Sequence, residues 1–165
     1  MPALYSSTFK DQTHAFICIR FPLASDLLCL LTPTPSPLPH PPRPTHVPQV
    51  VCEEERQVIF TNLPELYNFH RTFCAQLQKM VRRDPAHVSQ LFITHADDFC
   101  RLYSEYCARH SRSLLTLAER QKSKSFAAWI SVCQEILKNQ LSLKDDLLKP
   151  VQRILKYHLL LAEQV

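Results

Sequence analysis

A chain of 165 residues with a net charge of +4 is long enough for one domain with a real core, and too mildly basic to demand a nucleic acid. It contains no glycine and thirteen prolines. Only glycine takes positive φ without strain, so β-meanders, Rossmann turns and phosphate-cradling loops are disfavoured and an all-α fold is expected.

Composition divides the chain near residue 50. Residues 14–31, HAFICIRFPLASDLLCLL, are apolar but interrupted by Arg20, Pro22 and Asp26, whereas a transmembrane segment wants about 20 unbroken apolar residues. Eight prolines lie in PTPSPLPHPPRPTHVP, residues 33–48, a density compatible with polyproline II or disorder but not with helix or sheet. Setting Arg43 against a PxxP core would require proline at 38 or at 46. Those positions hold Leu38 and His46, which argues against an SH3 ligand in 33–48. The Leu, Pro, Ser and Thr bias of 28–49, ending in Gln49, reads as a translated splice-acceptor tract. Residues 1–52 are therefore set apart as an N-terminal segment carrying the Pro-rich run. The seven cysteines stand singly, with no CxxC and no Cys–His pair at zinc spacing. They read as reduced thiols of a cytoplasmic protein, with no metal and no cofactor.

Helical periodicity begins near residue 57. Ile59, Leu63, Leu66, Phe69, Phe73, Leu77 and Met80 step by three or four. Pro64 requires either a helix start with Asn62 or Leu63 near the N-cap, or a kink. Asp84-Pro85 stops the pattern. A second helix is expected over about 86–109, burying Val88, Leu91, Phe92, His95, Phe99, Leu102 and Tyr106. Ser111 is read as the cap of a shorter helix over 112–122, and Ser123 or Ser125 as the opening of another through Trp129 and Leu137. NQLSLKDD marks a break, and Pro150 is expected in the first turn of the last helix. Antiparallel helices with short loops give an elongated helical bundle.

On that last helix two stripes stand out. Leu148, Val151, Leu155, Leu159 and Ala162 form an apolar one, expected to bury. Lys149, Gln152, Arg153 and Lys156 form a polar one with no carboxylate neighbour, expected to face either solvent or an acidic or polar protein partner. No HExxH, GxSxG or Cys–His constellation accompanies them, so bond-making chemistry is not expected. His95, His158 and Trp129 read as packed or partly exposed side chains.

The segment LLKPVQRILKYHLLL (147–161) resembles the most recognisable segment of the Dbl-homology domain, the exchange module of guanine-nucleotide exchange factors for Rho-family small GTPases. VIFTNLPELYNFHRTFCAQL (58–77) is similar to that family's second helix, and FITHADDFCRLYSEYCARHSRSLLTL (92–117) to its middle region. The three occur in family order over about 55–165. His158, where many members have proline, is similar to the branch that also carries a pleckstrin-homology domain. The resemblance implies that Gln152 and Lys156 contact a Rho-family small GTPase, with Arg153 at a family-typical position of partly structural role. It implies guanine-nucleotide exchange by a cytoplasmic protein, recruited to the membrane periphery in a longer form. The family's acidic first helix and the segment beyond the motif have no counterpart read here. CEEER (52–56) matches neither, so a partial domain truncated at both ends is expected. The alternative is a non-catalytic GTPase-binding or regulatory helical module.

Overall fold

The computed structural model describes residues 51–162, and the readings made of residues 1–50 lie outside it. The described residues form an all-α bundle. Its elements are α1 (Glu53–Phe60), α2 (Leu63–Arg83), a 3₁₀ turn (Pro85–His87), α3 (Val88–Thr94), α4 (Ala96–Gln121), α5 (Lys124–Ile136) and α6 (Leu143–Ala162).

CEEER opens α1. The Cys52 thiol accepts the Glu55 amide while the Glu55 carboxylate accepts the Cys52 amide, a capping box with sulfur in the usual hydroxyl position. The three glutamates also complement the N-terminal end of the helix dipole. Glu53 is held by Arg56 and Gln57, and Glu55 reaches Arg120 on α4 at 3.4 Å. These carboxylates thus brace α1 and tie it to α4.

Between α1 and α2 the pattern breaks at Thr61, whose φ is +50° and ψ −129°. A glycine would take this geometry freely, but a β-branched residue is strained there. Asn62 precedes α2 and Pro64 lies in its first turn, where the missing N–H costs nothing. The buried Asn62 side chain donates to the Leu102 carbonyl of α4 at 3.0 Å, which anchors the corner.

The middle of the chain departs from the expected boundaries in two ways. The helix anticipated over 86–109 divides at His95, where α3 ends and α4 begins. The break anticipated at Ser111 does not occur, because α4 runs through it without interruption to Gln121. Ser111 is exposed mid-helix, and the buried Ser113 hydroxyl donates to the Ile59 carbonyl of α1. Packing against α1 keeps the helix going where local capping propensity would end it. Ser123 precedes α5 as expected.

Helix α4 is the axis of the bundle, packing against α1, α2, α5 and α6. Tyr106, Leu102 and Leu117 on it meet Ile59, Leu66, Phe73, Phe126 and Leu147 in one core. Pro150 is not in the first turn of α6 but well inside it. Having no N–H, it cannot donate to the Asp146 carbonyl. At the same level the Tyr106 hydroxyl donates to the Leu147 carbonyl at 2.7 Å, so α4 supports α6 where its own ladder is interrupted.

Candidate functional site

Helix α6 starts where Ser142 caps it, its hydroxyl accepting the Asp145 amide at 3.2 Å. Leu143, Asp146, Leu147, Pro150, Arg153 and Tyr157 turn inward, a single face at spacings of three and four. The apolar stripe expected to bury does not. Leu148 is 37% exposed, Leu155 64% and Leu159 50%, while Val151 alone of that group packs partly against the core. Of the polar stripe, Gln152 and Lys156 are exposed. Lys149 is half-buried and paired with Asp146 at 2.8 Å, so the expectation of no carboxylate neighbour fails. Arg153 is only 3% exposed and shares no outer face with Gln152 and Lys156.

The reason lies in α2. Arg153 Nε donates to the Tyr157 hydroxyl at 2.7 Å, and its Nη2 approaches the Cys74 thiol at 3.0 Å. The Tyr157 oxygen lies 3.2 Å from His70 Nδ1, and His70 Nε2 lies 2.5 Å from the Tyr103 hydroxyl. A buried polar chain therefore runs from α6 through α2 to α4. Because Arg153 meets Cys74 and Tyr157 meets His70, α6 and α2 run antiparallel.

Burial, with the Arg153 cation nearby, pushes His70 down to about 2, so its ring is neutral. A neutral ring offers one donor and one acceptor, which suits the two phenolic hydroxyls. Burial pushes Tyr157 up to about 12 against the pull of Arg153, and raises Tyr103 as well. Burial opposes the charge on Arg153, but Tyr157, Cys74 and Tyr103 together hold it above its ordinary value. Aromatic rings surround the chain: Tyr157 stacks on His70 at 6.0 Å and meets Phe92 and Phe99 edge-on at 5.3 and 5.5 Å.

The outer face of α6 is therefore a mixed strip of Leu148, Gln152, Leu155, Lys156 and Leu159, at i, i+4, i+7, i+8 and i+11. It is presented on a helix locked from behind. Sequence periodicity alone missed this, since α6 carries leucines on two faces. A signal was available in Arg153 and Tyr157, spaced i, i+4, whose polar tips and apolar stems suit a satisfied interior. Among the described residues no cluster of His, Cys, Asp or Glu could hold a metal, and no helix is long and apolar enough to cross a membrane. His95 is partly buried, with its Nε2 2.9 Å from Gln76 Oε1, and His158 is exposed.

The RhoGEF domain family matches residues 25–165, and the chain belongs to that family. The match begins thirty residues ahead of the start read from sequence. Human Rho guanine nucleotide exchange factor 9 is 34% identical over 116 residues, which are 67% of this chain and 22% of that protein. Human Rho guanine nucleotide exchange factor 4 is 35% identical over 115 residues, 67% of this chain and 16% of that protein. Human pleckstrin homology domain-containing family G member 3 is 34% identical over 116 residues, covering 70% and 9%. The chain thus spans about a fifth or less of these relatives' lengths. A solved structure of the Vav1 exchange factor shares the fold, with a TM-score of 0.71 at 19% identity over 98% of this chain and 40% of that one.

Proposed function

We propose that the chain promotes guanine-nucleotide exchange on a Rho-family small GTPase, and that Gln152 and Lys156 on α6 touch the GTPase together with Leu148, Leu155 and Leu159. The observation that supports this best is the outward strip itself. Three exposed leucines on one rigid helix face are a poor solvent surface and a good protein-docking surface, and the intervening amide and cation give orientation. Arg153 acts from beneath as a positioning residue, because its donors are engaged with Tyr157 and Cys74.

No bond is made or broken. An exchange factor accelerates release by binding the emptied GTPase more tightly than the loaded one, which by linkage weakens the hold on nucleotide to the same degree. A face fixed by a buried network is suited to this, since a yielding helix would adapt to the loaded form as readily as to the emptied one. Lys156 also adds long-range attraction for an acidic partner.

The test is release of a fluorescent GDP analogue from Rho-, Rac- and Cdc42-type GTPases in the presence of this chain. Lys156→Ala or Gln152→Ala should slow the stimulated release by about tenfold or more, roughly 1.4 kcal/mol, with unchanged helicity. Binding to the GTPase without faster release would establish the non-catalytic module instead.

A further inference from the structure

A second surface stands apart from α6. Along the solvent side of α2, Arg71, Lys79, Arg82 and Arg83 are all exposed. No Asp or Glu occurs anywhere from Leu66 to Arg83. Among the described residues none of these four cations has an ion-pair partner. Helix α4 is organised differently: it interleaves Asp97, Asp98, Glu105 and Glu119 with its cations, pairing Arg101 with Asp98 and with Glu65, and Arg109 with Glu105. Arg82 and Arg83 complement the C-terminal end of the α2 dipole, but Arg71 and Lys79 lie too far from that end to share the role.

Arg71, Lys79 and Arg82 follow at i, i+8 and i+11, one face of the helix about 17 Å long. Between them lie only small or neutral side chains, Thr72, Ala75 and Gln78. We propose that this face of α2 lies against an anionic bilayer surface. An acidic peptide would need a groove to fix its path, and a single convex helix provides none. A single-stranded nucleic acid held by a basic surface draws on interleaved aromatic side chains for stacking, and the α2 aromatics Phe69, Phe73 and Tyr67 are buried or half-buried. A flat, diffuse field of anionic headgroups asks only for unneutralised cations on one face, which is what α2 presents.

Vesicle co-sedimentation tests this with the whole chain, comparing phosphatidylcholine alone with phosphatidylcholine containing 30 mol% phosphatidylserine. Each cation near the surface is worth about fivefold in partitioning, so the triple variant Arg71→Gln/Lys79→Gln/Arg82→Gln should bind the anionic vesicles about a hundredfold more weakly. Arg109→Gln on α4 should leave binding unchanged, and circular dichroism should show all three proteins equally helical. Raising salt from 0.05 to 0.5 M should release the wild type. The proposal is overturned if the wild type does not bind anionic vesicles, if it binds neutral ones equally, or if the triple variant binds as well as the wild type. It is also overturned if a single-stranded RNA binds through these residues and vesicles do not. Because the readout contains no GTPase, its outcome is independent of the exchange reading.

Discussion

At the scale of single residues, Arg153 and Lys156 lie three apart in sequence and differ in setting. Arg153 is buried and hydrogen-bonded into the core, so Arg153→Ala leaves a cavity and removes the donor to the Tyr157 hydroxyl and to the Cys74 thiol. We expect a loss of about 2–4 kcal/mol in urea denaturation. Lys156→Ala removes an exposed cation and should change stability by less than about 0.5 kcal/mol, while slowing stimulated nucleotide release. Equal destabilisation by the two would contradict the division. His70 supplies a pH signature. Its folded-state value is depressed far below that of the unfolded chain, so the unfolded state binds the extra proton. Stability from this group is complete above about pH 6.5 and is lost as pH falls below it, at up to about 1.4 kcal/mol per unit. Denaturation midpoints between pH 6.5 and 4.5 should fall accordingly, and His70→Gln should flatten that dependence.

At the scale of elements, the glycine-free composition made the all-α class legible before any helix was placed. The start of α2 at Asn62 and Pro64 and the start of α5 at Ser123 were each one of two readings the sequence allowed, and neither residue caps its helix through its side chain. The continuity of α4 through Ser111 was not legible, since Ser113 finds its partner, the Ile59 carbonyl, 54 residues away. Nor was the facing of α6. Two leucine stripes compete there, and hydropathy cannot tell the one that meets the core from the one left facing outward. The Arg153–Tyr157 pair decides it through His70 and Cys74, contacts that no local window contains. The inverted facing has a direct consequence. Leu155→Asp, which a buried Leu155 would make ruinous, should leave the urea midpoint nearly unchanged and weaken GTPase coupling. The absence of glycine also leaves a mark at Thr61, held at positive φ while its amide closes the end of α1 on the Gln57 carbonyl. Thr61→Gly relieves that strain and should stabilise the chain by about 1 kcal/mol, net of the greater freedom glycine gives the unfolded state. A destabilised Thr61→Gly protein would mean that the threonine side chain is needed at the corner.

At the scale of the molecule, the core and the outward strip of α6 are joined through one aromatic centre. Phe99, near the start of α4, meets Phe69 and Phe73 of α2 edge-on at 4.9 Å each, stacks with Phe92 of α3 at 5.8 Å and meets Tyr157 of α6 at 5.5 Å. Three helices thus meet one ring carried by a fourth. Phe99→Ala should cost about 3–5 kcal/mol, because the close-packed rings around it, Tyr157 and His70 among them held by hydrogen bonds, cannot fully close the gap. With α6 held against the same centre, the loss should appear as one cooperative transition at a lower midpoint. Far-ultraviolet dichroism and the burial of Cys133, followed by its thiol reactivity, should report that transition together. Stimulated nucleotide release should then decline only in proportion to the unfolded fraction, so that at a temperature where the variant is fully folded its rate matches the wild type. A second, earlier transition confined to α6, or a slowed release in fully folded Phe99→Ala protein, would show instead that the aromatic centre sets the pose of the docking face directly.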